Sequence, residues 1–381
     1  MKNLFTPVFG GKPETFFGRK TLLDRFDRAL EVRGSDDRAL FLTGARGSGK
    51  TALLEQFSQR AASRGWTVID VGAEHALQSL FRQLTSYDEL TETTNPSIEV
   101  KVLGSGGSVA GKSKAKTRRP VPEDLDVLLI EACKKQKHGI FVTIDEIQKV
   151  PLDDAASICE AFQMASRKGH DVALAVAGLP YAYEKIIHQD GCTFMRRASH
   201  EEIGLLPKEE VREAYGTAFG SIRSLKITDG AFDRLVLSSS GHPYMMQLLG
   251  YQLIEYLNAQ PEKTLADEEV VAVIEPVAIS SYENRSLKPL LDELSDGERN
   301  YLRTVADCVD DALRADTGEI AKKMGKTTQK VSGLRQQLID KGVIVASGHG
   351  YVRFGIPYLR AYLSRPSEEE ENLALLKEWA V

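Results

Sequence analysis

The segment FLTGARGSGKT, Phe41 to Thr51, constrains this chain more than any other. Gly44, Gly49, Lys50 and Thr51 fit the pattern G-x-x-x-x-G-K-[ST]. The apolar run ALFLT ahead of it reads as a buried parallel strand, and TALLEQFSQRAASRG behind it as a helix with apolar residues at helical spacing. Strand, glycine loop and helix in that order turn the backbone N–H groups of Gly44, Ala45, Arg46, Gly47, Ser48 and Gly49 onto an anion, and the helix N-terminus adds a favourable dipole. Lys50 supplies a point charge for the β- and γ-phosphates, and the Thr51 hydroxyl suits Mg2+. The loop therefore predicts an α/β fold that binds ATP or ADP, and leaves open what the nucleotide is used for.

About a hundred residues on, GIFVTIDEIQKV is an apolar run ending in Asp145 and Glu146. Such a run predicts a core strand that delivers two carboxylates to the C-terminal edge of the sheet, where ligands of open α/β sheets bind. Asp145 is the candidate for the Mg2+ shell and Glu146 for the general base that polarises water. With TVIDVGA (67 to 73), VALAVAGLP (172 to 180) and EEIGLLP (201 to 207), five strands are expected, with helical stretches as the crossovers that a parallel sheet requires.

These motifs resemble AAA+/STAND-type P-loop ATPases, in particular the prokaryotic AAA-family proteins related to the archaeal ATPase group. FFGRKTLLDRF is similar to the box that precedes the phosphate loop in that family, IDEIQ to its second box including Gln148, and SGHPYMMQLLGYQL to its G-x-P lid motif at Gly241 and Pro243. The resemblance implies that Phe17, Gly18 and Arg19 lie near the adenine, that the lid closes over the nucleotide, and that an arginine just before the fifth strand completes the site of a neighbouring subunit. Arg196 and Arg197 in FMRRASHEE are the candidates, with local pairing to Glu201 and Glu202 as the alternative. Two departures stand out. The fourth strand ends in Ala177 and Gly178 where the family usually has a polar residue that orients water, and the lid motif has no sensor-type arginine. Both imply a slow switch in place of fast turnover.

Four regions follow from composition and periodicity: an ATPase core over 1–207, a helical lid over 208–287, a winged helix-turn-helix over 288–365, and an acidic tail helix over 366–381. A polar linker is expected at about Ser280 to Leu287. Within the core, 92–122 is rich in Gly, Ser and Lys; it reads either as a flexible solvated insertion or, through KSKAKTRR (Lys112 to Arg119), as an arm for nucleic-acid phosphates. The tail SEEEENLALLKEWAV reads as a docking helix for the chain's own body or as a partner-binding peptide.

The winged-helix expectation rests on three helical segments followed by VIVASGHGYVRFGIP, two alternating strands around a Gly-His-Gly turn. On its third helix Thr328, Gln329, Lys330 and Arg335 are read as lying off the apolar stripe of Val331, Leu334, Leu338 and Ile339, and Arg353 sits on the wing. These residue types suit phosphate and base-edge contacts. An internal clamp against the nucleotide domain is the other use of such a module.

The net charge of -5 and pI near 5.9 exclude a protein that coats nucleic acid through bulk charge. Four scattered cysteines without a CxxC pair indicate neither a zinc site nor a disulfide framework. The absence of a signal-like apolar run leads to the expectation of a cytoplasmic protein with no membrane partner. Two functions stand: a DNA-associated ATPase switch that binds double-stranded DNA, and a STAND-type signalling or defence ATPase whose C-terminal unit is a clamp. A homo-oligomer or a partner protein is expected in either case. A protein remodeller is weaker, because nothing resembles a pore loop.

Overall fold

The computed structural model describes residues 1–8, 14–91, 124–263 and 265–365. The expected insertion at 92–122, its basic arm Lys112 to Arg119 and the tail 366–381 therefore lie outside the described residues.

The core begins with α1 (Lys20–Glu31), β1 (Ala39–Thr43), α2 (Lys50–Ser63), β2 (Thr67–Val71) and α3 (Ala76–Thr91). It continues with α4 (Leu125–Lys135), β3 (Ile140–Ile144), α5 (Leu152–Arg167), β4 (Val172–Gly178), α6 (Pro180–Ile187) and β5 (Ser199–Glu202). The strands form one parallel sheet in the order β2-β3-β4-β1-β5. Strands β1, β3 and β4 are buried throughout, as strands covered by helices on both faces must be. Alternation sorts their side chains: Phe41, Val142, Leu174 and Val176 face a core with α4 and α5, while Leu40, Leu42, Phe141 and Ala175 face α1 and α2.

The fifth strand corrects the expectation of 201–207. It spans Ser199–Glu202, pairing Leu40 with Ser199 and Thr43 with Glu202. As an edge strand with alternate residues exposed it needs no apolar run. The apolar residues that suggested a strand do other work: Ile203 donates its N–H to the Thr43 carbonyl at 2.6 Å and buries beside Leu42, and Leu206 turns into the lid, its N–H on the Gly241 carbonyl at 2.7 Å.

The lid comprises α7 (Lys208–Gly220), β6 (Lys226–Ile227), α8 (Asp229–Ser239), α9 (Pro243–Ala259), β7 (Leu265–Ala266) and α10 (Glu268–Tyr282). Strands β6 and β7 form a short parallel pair that periodicity did not disclose. The N-terminal segment lies along α9, where Phe5 fills the space left by Gly250 and Gln247 receives the Thr6 N–H at 2.9 Å.

The polar linker expected at 280–287 is also corrected, because the chain there is helical. A π turn, Glu283–Leu287, runs from α10 directly into α11 (Lys288–Asp292). Pro289 at the start of α11 has no N–H for the Arg285 carbonyl, and a widened turn accommodates that missing bond without ending the helix. The polar Glu283 in this turn is buried and receives Arg365 at 2.9 Å.

The C-terminal unit follows as α12 (Asp296–Asp307), β8 (Ala315–Asp316), α13 (Thr317–Lys323), α14 (Thr328–Asp340), β9 (Ile344–Ala346), β10 (Tyr351–Phe354) and α15 (Leu359–Leu363). Its three strands pair antiparallel in the order β8-β10-β9. The Ser295 and Glu298 capping box fixes the start of α12, a feature worth about 1 kcal/mol. Lid and C-terminal unit share one continuous apolar cluster, from Tyr215 and Leu253 through Tyr282 to Leu302, Leu338 and Val352. Among the described residues no helix is long and apolar enough to cross a membrane.

Candidate nucleotide site

The phosphate loop leaves β1 at Gly44 and enters α2 at Lys50, as the residue pattern requires. Gly47 and Gly49 hold positive φ of 76° and 94°, a backbone region open to glycine at little cost. Gly47 has a second reason to lack a side chain, since a Cβ there would lie 2.7 Å from the His242 ring. No side chain caps the N-terminus of α2, so its first N–H groups face the loop's cavity. The Ser48 hydroxyl is buried and without a partner.

Lys50 is almost fully buried, and its ammonium is folded onto the carbonyls of Gly44 and Ala45, each at 2.9 Å. Burial pulls it below the usual lysine range, while Asp145 and Glu146 act in the opposite direction. The Thr51 hydroxyl donates to the Asp145 carboxylate at 2.5 Å, which brings the loop and the end of β3 together at one point. Asp145 also accepts the Glu146 N–H at 2.8 Å. Glu146 stands in left-handed backbone at φ 54°, uncommon for a residue with a side chain. Its carboxylate accepts from the Gln148 amide at 2.6 Å and lies 3.6 Å from the Lys149 ammonium.

A cavity of about 690 Å3 opens over this constellation. It is lined by Arg46 to Thr51 and the Asp145/Glu146 pair, by Phe17 and Arg19, and by Pro243 and Tyr244 of the lid. The cavity thus gathers the residues expected from both motifs, from the box before the loop and from the G-x-P segment. Gly18, Gly44, Ala45 and Gly241 shape the backbone around it without lining it: Gly241 meets the Leu206 carbonyl closely, and Gly18 has φ 71°.

The other candidates are distributed differently. Arg196 and Arg197 are exposed on the 3-10 turn before β5 and do not line the cavity. Of the expected partners Glu201 and Glu202, Glu201 is held by Arg25 at 2.6 Å, and Arg196 donates to the Ile187 carbonyl. In α14, Thr328, Gln329 and Lys330 are exposed, as is Arg353 on β10. Arg335 corrects its expectation: it is half-buried, and its Nε is buried without a partner. Positions 331, 334, 335 and 338 share one helical face, so Arg335 belongs to the inward stripe.

Sequence reasoning missed several residues that line or flank the cavity. Arg285 and Ser286 reach its wall from the π turn, and Glu293 pairs with Arg46 at 2.6 Å. His242 lies buried beneath Gly47, pushed down to about 4 by burial, with Tyr282 within 3.4 Å. A polar residue inside an expected linker or directly before a lid proline carries no periodic signal, and only the fold brings it to the loop.

A glycine phosphate loop, two carboxylates after β3 and a helical lid on a sheet ordered β2-β3-β4-β1-β5 give the chain the fold of AAA+ P-loop ATPases. Consistent with this class, residues 15–174 match the family model described as "AAA ATPase domain". Residues 285–363 match a second model, described as "Domain of unknown function (DUF8462)". Among solved structures, the ORC2 protein of Aeropyrum pernix, in ADPNP–ADP complexes, superposes with a TM-score of 0.60 at 15% identity, covering 99% of this chain and 100% of that one. Looser similarity extends to Cdc6p of Pyrobaculum aerophilum, with a TM-score of 0.46, 12% identity, and coverage of 94% and 95%. It also extends to the Aeropyrum pernix ORC1 protein in complex with DNA, with a TM-score of 0.46, 17% identity, and coverage of 97% and 96%. No curated protein matches.

Proposed function

We propose that this chain binds and hydrolyses ATP with Mg2+ as a slow nucleotide-dependent switch, and that its C-terminal unit, read as a winged helix, senses the state of the phosphate loop. The observation that carries this reading is the meeting of Lys50, Thr51, Asp145 and Glu146 in one cavity whose loop is also touched by the C-terminal unit. The residues fit the ligand. An uncapped helix start, the orphaned Ser48 hydroxyl and a buried lysine resting on backbone carbonyls suit phosphate oxygens. A hydroxyl and a carboxylate in contact, Thr51 and Asp145, suit a hard cation with oxygen ligands.

Bound Mg-ATP supplies the electrophilic phosphoryl group. Lys50 offsets phosphate charge, Thr51 and Asp145 would hold the cation, and Glu146 takes a proton from the attacking water. Arg196 or Arg197, exposed before β5, is the candidate to complete a neighbour's site in a homo-oligomer. Lys50→Ala should abolish ATP binding in calorimetry, while Glu146→Gln should retain ATP and stop hydrolysis. Full activity in either variant would refute the site assignment.

The C-terminal unit supports two uses. The clamp reading is favoured by Gly342, just after α14, which packs against Ala45, and by the Arg46–Glu293 pair. The DNA reading is favoured by the exposure of Thr328, Gln329, Lys330 and Arg353 at the opposite end of α14 and on the wing. The two are compatible, because different ends of one helix are involved. Absence of duplex binding at micromolar protein, in ATP or ADP, would eliminate the second.

A further inference from the structure

β4 ends in Ala177 and Gly178, which have no polar side chain to orient a water molecule or a carboxylate. The space over Gly178 is filled by the side chain of Gln148, which comes from the 3-10 turn after Glu146. A Cβ on Gly178 would stand 2.8 Å from the Gln148 Oε1, 2.8 Å from the Ile147 Cγ2 and 2.9 Å from the Ala182 Cβ. The glycine is therefore what admits the amide to this place.

The orientation of that amide is fixed by chemistry. Its Oε1 accepts the backbone N–H of Leu179 at 3.2 Å, a donor that only an oxygen can satisfy. The NH2 end must then face the other way, and it donates to the Glu146 Oε2 at 2.6 Å. A backbone donor at the end of β4 thus aims an amide donor at the candidate base. The charge-assisted bond is of the stronger kind, and it restrains a carboxylate whose own backbone lies in a sparsely populated region.

We propose that Gln148 is a positioning residue for hydrolysis: it holds the Glu146 carboxylate in line for the attacking water, in the role that the end of β4 cannot fill. The inference rests on the reading of the cavity as an ATP-hydrolysing site with Glu146 as base. Gln148 itself acts only through Glu146.

The test measures steady-state hydrolysis of Mg-ATP by the full chain, together with nucleotide affinity and melting. Gln148→Leu keeps the size and removes the donor; kcat should fall about 10- to 100-fold, within the range for general-base chemistry, with the ATP dissociation constant unchanged within about twofold. Gln148→Glu keeps an acceptor for the Leu179 N–H and sets a second carboxylate beside the base, so it remains informative if the leucine variant does not fold. With the donor to Glu146 gone, its kcat should fall as in Gln148→Leu while the ATP dissociation constant stays unchanged within about twofold. Gly178→Ala should reproduce the kcat loss by displacing the amide, with residues 146 and 148 intact. Wild-type kcat in Gln148→Glu overturns the inference, as does equal loss of affinity and kcat in all three variants. Failure of the underlying reading is distinct: hydrolysis that is absent from the wild-type chain, or undiminished in Glu146→Gln, removes the base itself.

Discussion

Gly342 lies against Ala45: a Cβ at Gly342 would come within 3.0 Å of the Ala45 Cα and 3.2 Å of its Cβ. The turn that ends α14 thus rests on the second residue of the phosphate loop. Gly342 also has φ 68°, so two separate constraints exclude a side chain there. Gly342→Ala should cost about 1–2 kcal/mol from backbone strain alone, and should push the C-terminal unit away from the loop. The expected outcome is a lower melting temperature with faster hydrogen exchange in 338–343. Unchanged exchange would mean that the contact carries no stability.

Arg46 and Glu293 are both about half-exposed, so their 2.6 Å ion pair is worth about 1 kcal/mol or less. Glu293→Gln should leave melting almost unchanged while freeing Arg46 to face nucleotide phosphates. A rise of severalfold in ATP affinity, measured by titration of a fluorescent analogue, is the expected result, and it should shrink in high salt.

His242 predicts an acid sensitivity. In the folded chain burial pushes it down to about 4, against an ordinary 6.5 when exposed. Between those values the unfolded chain binds the extra proton, so stability is complete above pH 6.5 and falls as pH drops toward 4. The loss between pH 6.5 and 5 should be about 2 kcal/mol. Denaturant midpoints of wild type and His242→Gln, compared across this window, should converge at low pH as the histidine contribution disappears.

The exposed basic residues and Arg335 should behave differently toward DNA. Lys330→Ala and Arg353→Ala should each reduce the slope of log affinity against log salt by about one. Arg335→Ala should leave the slope unchanged and alter stability, because its side chain is half-buried on the inward stripe beside Tyr301. A slope reduced by Arg335→Ala alone would reverse this assignment.

Much of the core and site is legible in the chain because local chemistry and tertiary need coincide there. A loop that must bind phosphate needs Gly47, Gly49, Lys50 and Thr51 in sequence, and a strand buried on both faces needs a largely apolar run such as Ile140–Ile144. Legibility fails where one residue serves a distant element. Ser199–Glu202 is polar because an edge strand tolerates water, while the apolar residues after it serve the lid. Arg335 reads as a surface cation until the helix is seen to turn it toward Tyr301. Gln148 and His242 have no periodicity to betray them, since each is defined by a glycine, Gly178 or Gly47, that the fold brings from another segment.

The unbroken helical passage from α10 through the Glu283–Leu287 turn into α11 has a further consequence. It acts as a keyed shaft, with angle and reach both set by residue count. One added residue would rotate everything downstream by about 100° and advance it by about 1.5 Å. A heptad would restore the facing to within about 20°, yet carry the unit about 10 Å away. No insertion preserves both the seat of Gly342 on Ala45 and the pairing of Glu293 with Arg46, so this stretch should vary in residue type and hardly at all in length.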